Sequence, residues 1–212
     1  YERRGHRRTG MPEFGFSLEN QTRDLEALIE HFDIRAPLIV SVAFGTTIAA
    51  SYAIRHPEKL SGIVMVAWSE MHEARHYFER WVKASATVVR ILENEGRDAL
   101  LDYLRREAGR SVYLVVPLES PIREACVRMF GGHPIDEYRR GMLEFATSVP
   151  DLVEPFKRLT LPVLGVCGEH DPFPDKPEVL AGMSRFREAP PILGAGRFVQ
   201  WEKAGEFNAL LR

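Results

Sequence analysis

Apolar residues first recur at helical spacing between Leu18 and Phe32, at Leu18, Leu25, Leu28, Ile29 and Phe32, and Ser17 stands where a cap would accept the first free amides. Asp33 to Pro37 breaks that pattern. Leu38-Ile39-Val40 then opens a short β-branched run ending near Ala43; it does not alternate, which predicts a strand covered on both faces. A helix is expected over Thr46 to Arg55, closed by His56-Pro57 because a residue before proline resists the helical region. Ile63 to Ala67 reads as a second buried strand, and strand, helix, strand with short links predicts a parallel sheet.

The pattern changes over residues 70–159. Phe78, Trp81, Val82, Val88, Val89 and Leu92 mark one long helix that stops at Gly96. Leu100, Leu101 and Leu104, and then Ile135, Tyr138, Met142 and Phe145, mark others, with only Val112 to Val116 ambiguous. Strand pattern resumes at Pro162 to Cys167, a loop leads to a short helix, and Pro191 to Gly194 reads as a last strand. Phe198 to Leu211 is expected to end the chain as one amphipathic helix with Phe198, Trp201, Phe207 and Leu211 as core contacts. The expected organisation is an α/β core over 1–69 and 160–212, interrupted by a helical insertion over 70–159.

Composition narrows the partners. Lys and Arg number 28 against 30 Asp and Glu, a net charge of -2, so no excess positive field favours nucleic acid or an anionic membrane. No apolar run is long enough to span a bilayer, and the charged start YERRGHRRTG lacks the apolar stretch of a signal peptide. Its missing initiator Met suggests trimming or a fragment. The Arg3, Arg4, Arg7 and Arg8 cluster reads as a solvated terminus. Cys126 and Cys167, both in apolar surroundings, read as two buried thiols in a reducing compartment, the cytoplasm.

Chemistry in such a sheet gathers at the carboxyl ends of the strands. Here those turns read Ser41-Val42-Ala43-Phe44-Gly45-Thr46, Gly168-Glu169-His170-Asp171-Pro172 and Gly194-Ala195-Gly196-Arg197-Phe198. Together with FSLENQTRDLEALIEHFDI, LIVSVAFGTTIAASYAIRHPEKLSGIVMVAW, LPVLGVCGEHDPF and GAGRFVQWEKAGEFNALL, they resemble the lid-bearing branch of the α/β-hydrolase family. The order of the segments is more specific than any one of them. The resemblance implies an α/β fold, its mostly parallel sheet reduced to the second half of the family's, with a helical lid. It also implies a nucleophile at Ala43, in a G-x-S-x-G frame whose first glycine is Ser41 and whose last is Gly45. The acid position would be Asp171 and the histidine position Arg197.

Two of these three roles are then empty. Alanine has no atom to attack a carbonyl, and an arginine that stays protonated cannot act as a general base. Arg197 could instead pair with Asp171. The backbone N–H of Phe44 is the candidate oxyanion-hole donor. In the family's order the resemblance begins after the fourth strand, so the run at 38–43 is expected to form a bare apolar edge, calling for a missing N-terminal segment or a second copy.

Val42, Trp68, Met71, Phe78 and Trp81 are candidates for the wall of an apolar cleft. His170 reads as a solvent residue, His6 as loop packing, and His31, His56 and His133 as surface or capping residues. Glu70 and His72 follow the second strand near the expected pocket. His72, Glu73 and His76 share a helix face but lack a further ligand, so no metal is expected. Gly194-Ala195-Gly196 lacks the third glycine of a dinucleotide loop, and no cofactor is expected. The functional expectation is a hydrolase-fold protein with a degenerate triad, holding at most a small, largely apolar ligand. The alternatives are a serine-type hydrolase of esters or amides carrying an inactivating change, and an interaction fragment pairing through 38–43.

Overall fold

A computed structural model describes residues 1–6, 9–106, 120–173 and 175–212. The central strand is β2 (Gly62–Val66), whose five residues are all buried, as its unbroken apolar run requires. It lies between β1 (Leu38–Val42) and β3 (Val163–Val166), and β4 (Phe186–Glu188) follows β3. The order is β1-β2-β3-β4 and every pairing is parallel. One register row runs Ile39, Ile63, Val163, Phe186.

Helix α1 (Leu18–His31) begins where Ser17 Oγ accepts the Asn20 N–H at 3.3 Å. Helix α2 (Phe44–Arg55) follows β1 without a spacer and buries Thr46 to Ala53 continuously. Its small residues let α1 and the sheet approach closely, so α2 is buried nearly all round rather than striped, its Thr46, Thr47 and Ser51 included. Its packing joins Ile48, Ala49, Tyr52, Ile63, Met65 and Phe156 in the larger core. The opposite sheet face is covered by Ala189, Ile192, Val199 and Phe207 over Val64, Val66 and Val166.

That cover stops short of β1. Leu38 is 52% exposed and Val40 45%, so β1 is buried on one face only, and the expectation of cover on both faces holds for β2 alone. Among the described residues β1 has no neighbour on its outer side.

Between β2 and β3 the described residues form helices: α3 (Ser69–His72), α4 (Ala74–Asn94), α5 (Gly96–Arg106), α6 (Arg123–Gly131), α7 (Met142–Ser148) and α8 (Val153–Lys157). A π-helical turn at Glu137–Gly141 leads into α7. Val88, Ile91, Leu100, Leu104, Cys126 and Val127 give this insertion a core of its own, which Phe198 joins. Val112 to Val116 lies outside the described residues.

Three expectations are corrected. The last strand is β4, not Pro191 to Gly194, where only Ile192 bridges Gly168. The terminal helix is split at Lys203 into α9 (Val199–Glu202) and α10 (Ala204–Leu210), which turns Trp201 out to 47% exposure. Two of the amino-terminal arginines are built into the fold: Arg3 pairs with the buried Glu137 at 2.9 Å, and Arg4 Nε reaches Asp24 at 2.6 Å. Arg7 and Arg8 lie outside the described residues. No described helix is long and apolar enough to cross a membrane.

Candidate active site

The turn from β1 into α2 places Ala43 at φ 48° and ψ -117°, a region that costs a residue bearing a Cβ about 1–3 kcal/mol. The Ala43 N–H donates to the Val66 carbonyl at 2.8 Å, which fixes the turn against the end of β2. Phe44 is the first residue of α2, so its N–H lies among the amides a helix leaves without an internal acceptor. Its ring packs on Phe145 and Phe78, and the Arg3 guanidinium lies 4.4 Å above it. Ser41, two residues before Ala43, is buried and donates its hydroxyl to the Val64 carbonyl at 3.0 Å.

Beyond Ala43 the ends of β2 and β3 enclose Arg197, a guanidinium only 1% exposed. Its Nη1 donates to both oxygens of Asp171, at 3.0 and 2.9 Å. Its Nη2 donates to Glu70, to Ser69 Oγ at 3.0 Å and to the Ala67 carbonyl at 3.1 Å. Ala67, like Ala43, has a positive φ (52°), and this second strand-to-helix turn aims its carbonyl at the cation. The rings of Tyr77 and Phe173 flank the guanidinium at 5.5 and 5.6 Å. The pairing of Arg197 with Asp171 expected from the sequence is therefore present. Glu70, which the sequence placed only near the pocket, is its second anion.

Burial opposes the charge on Arg197, but Glu70, Tyr77 and Asp171 outweigh it and hold the guanidinium protonated above its ordinary range. Burial also pushes the Asp171 carboxyl up, an effect that Arg197 and the Phe173 N–H offset only in part.

A cavity of about 440 Å³ opens over this cluster, walled by Val42, Phe44, Tyr77, Trp81, Phe130, Phe198 and Trp201, with Ala43, Glu70 and Arg197 at one side and Arg3 and His6 at another. Val42, Phe44 and Trp81 thus meet at the cavity with Ala43 and Arg197. Trp68 does not: it is fully buried and gives its Nε1–H to Glu188 at 3.3 Å. Met71 and Phe78 line a separate groove of about 910 Å³ beside α4 and α7. His170 is exposed, 3.6 Å from Glu169.

His133 is buried rather than superficial, and it meets His6 edge to face at 4.5 Å between ring centres. Burial, with Arg3 next, lowers the His6 pKa to about 2, so this imidazole is neutral. The expected shared helix face of His72, Glu73 and His76 is not formed, because α3 ends at His72 and α4 starts at Ala74, with Glu73 between them paired to Lys176.

Residues 1–204 match the family model described as alpha/beta hydrolase fold, and the chain belongs to that family. Its sheet is the four-stranded parallel core found here, and no Ser–His–Asp triad is formed among the described residues at the carboxyl ends of its strands. Similar solved structures include the enol-lactonase from Burkholderia xenovorans LB400, at a TM-score of 0.71 and 21% identity, covering 100% of this chain and 77% of that one. A carboxylesterase structure from Nitrososphaera gargenis gives 0.73 at 20% identity, covering 100% and 76%. The esterase EaEST from Exiguobacterium antarcticum gives 0.73 at 13%, covering 99% and 78%. Likeness at such identities is likeness of fold.

Proposed function

We propose that an ion cluster has replaced the catalytic triad of this hydrolase fold, and that the protein binds a small, largely apolar molecule without hydrolysing it. In this reading Ala43 stands at the nucleophile position, Asp171 is the retained acid and Arg197 fills the histidine position. The observation that carries the reading is the commitment of Arg197 to two carboxylates, Asp171 and Glu70, in a fully buried cluster. A cation held there accepts no proton from an attacking group.

What remains is suited to binding. A cavity of about 440 Å³ with aromatic walls falls in the range of small-molecule sites. The Phe44 N–H can polarise a ligand carbonyl, and Arg197 Nε–H, buried and without a partner, can donate to a ligand oxygen. The two unpaired thiols support a reducing compartment, the cytoplasm. Trp81 and Trp201 line the cavity, so binding is read from their fluorescence on titration with the ethyl ester of 4-phenylbutyric acid. Saturable quenching is expected, weakened at least about tenfold in Val42→Phe, a loss of about 1.4 kcal/mol. Quenching that does not saturate, or that Val42→Phe leaves unchanged, contradicts the reading.

The exposed Leu38 and Val40 favour a second reading, in which β1 pairs with a strand from a second copy or a further segment. A dimer in light scattering that Val40→Lys disperses supports it. A monomer at every concentration rules out the second copy.

A further inference from the structure

The carboxyl ends of β3 and β4 hold a second group of chemistry-bearing side chains, outside the cavity over Ala43. Cys167 directly follows β3, Glu188 is the last residue of β4, and Asp175 lies in the loop between them. One ligand atom from each, a sulfur and two carboxylate oxygens, lies within 4.8 Å of the other two.

These half-buried carboxylates keep shielded oxygens with little hydrogen bonding, which is uncommon for such groups. The oxygens of Asp175 are shielded from solvent with no side-chain partner, only the Trp68 backbone N–H beside them, and Oε1 of Glu188 is shielded without a partner. The other Glu188 oxygen takes the Trp68 Nε1–H at 3.3 Å. The sheet makes room for this carboxylate: Gly165 is the register partner of Glu188, and a Cβ at Gly165 would overlap the Glu188 carboxyl group. The guanidinium that approaches this region, Arg197, is already committed to Asp171 and Glu70. Shielded carboxylate oxygens of two acids converge beside a thiol, and among the described residues no cation pairs with them.

We propose that Cys167, Asp175 and Glu188 form a binding site for a divalent transition-metal ion of the zinc type. The donor set decides the class. Calcium and magnesium take oxygen ligands, whereas a thiolate with two carboxylates suits zinc or cobalt(II). Zinc–sulfur and zinc–oxygen bonds of about 2.3 and 2.0–2.2 Å are met by small rotations of three side chains that already converge. Three protein ligands leave the fourth tetrahedral position open to water. The ion would clamp the 167–188 connection, which carries Asp171, to the ends of both strands. The ligands come from two strands and a loop, which is why no short spacing motif announces them.

The test uses the full chain after chelator treatment, titrated calorimetrically with zinc chloride and by absorbance with cobalt(II) chloride. One ion per chain is expected, and the cobalt form should show a thiolate-to-metal charge-transfer band that Cys167→Ser abolishes. Asp175→Asn and Glu188→Gln are each expected to weaken binding by more than about tenfold, the lower end of what even an outer-shell contact contributes. Independently of any variant, zinc should slow alkylation of Cys167 by iodoacetamide at least about tenfold, located by peptide mass mapping. No zinc binding by the wild-type chain overturns the proposal. So does binding that the Asp175→Asn, Glu188→Gln double variant leaves unchanged, or zinc that leaves the Cys167 alkylation rate unaltered.

Discussion

Arg197 Nη1 shares its protons with both carboxylate oxygens of Asp171, at 3.0 and 2.9 Å, in a cluster that excludes solvent. Its other terminal nitrogen holds Glu70, so one guanidinium ties the loop after β3 to helix α3. Removing the cation strands two buried carboxylates. Arg197→Met is expected to lower stability by about 3–5 kcal/mol in urea unfolding. Adding Glu70→Gln and Asp171→Asn should recover most of that loss, because the three residues form one coupled network. A triple variant no more stable than Arg197→Met contradicts this account of the cluster.

Ala43 keeps a sharp turn whose conformation suits glycine better than alanine. Ala43→Gly is therefore expected to raise stability by about 0.5–1 kcal/mol, seen as a higher Tm with an unchanged unfolding slope. A destabilised Ala43→Gly would mean that the alanine methyl packs usefully and that the turn is not strained.

His6 lies among Arg3, His133 and Glu137, with its own ring nitrogen toward the Arg4 carbonyl. Burial first, and Arg3 second, lower its pKa from 6.5 to about 2. The folded state thus binds this proton more weakly than the unfolded chain, so the associated stability is complete above pH 6.5 and is lost as pH falls toward 2. The slope of one such group is at most about 1.4 kcal/mol per pH unit. His6→Gln should flatten the fall in stability between pH 7 and 5 relative to wild type. Parallel wild-type and variant profiles would show that His6 does not carry it.

Gly165 leaves the space that the Glu188 carboxyl group occupies. Gly165→Ala should cost about 1–3 kcal/mol through overpacking. The penalty should shrink on a Glu188→Ala background, since the two residues share one space. Equal penalties on both backgrounds would place the strain elsewhere.

Much of the fold was legible because it rests on local signals. Ser17 caps α1, His56 before Pro57 ends α2, and the unbroken run at 62–66 is buried on both faces. The pairing of Arg197 with Asp171 could be anticipated only through the family resemblance, which puts the two residues at neighbouring positions of one site. Strand β4 could not be read: Phe186-Arg187-Glu188 is too short and polar to alternate, and only its pairing with β3 makes it a strand. His133 and Arg3 were misjudged as superficial because their burial comes from contacts distant in sequence, with His6 and with Glu137. The grouping of Cys167, Asp175 and Glu188 exists only once two strands and a loop are assembled.

The central claim, that the Arg197 cluster has replaced hydrolytic chemistry, is tested most directly by the hydrolysis of p-nitrophenyl acetate and butyrate. Wild type and Asp171→Asn are compared at equal concentration with a protein-free control. The account predicts that both proteins release p-nitrophenol at the rate of the control. Turnover by the wild-type chain that disappears in Asp171→Asn would contradict it, and would return the site to a working hydrolase.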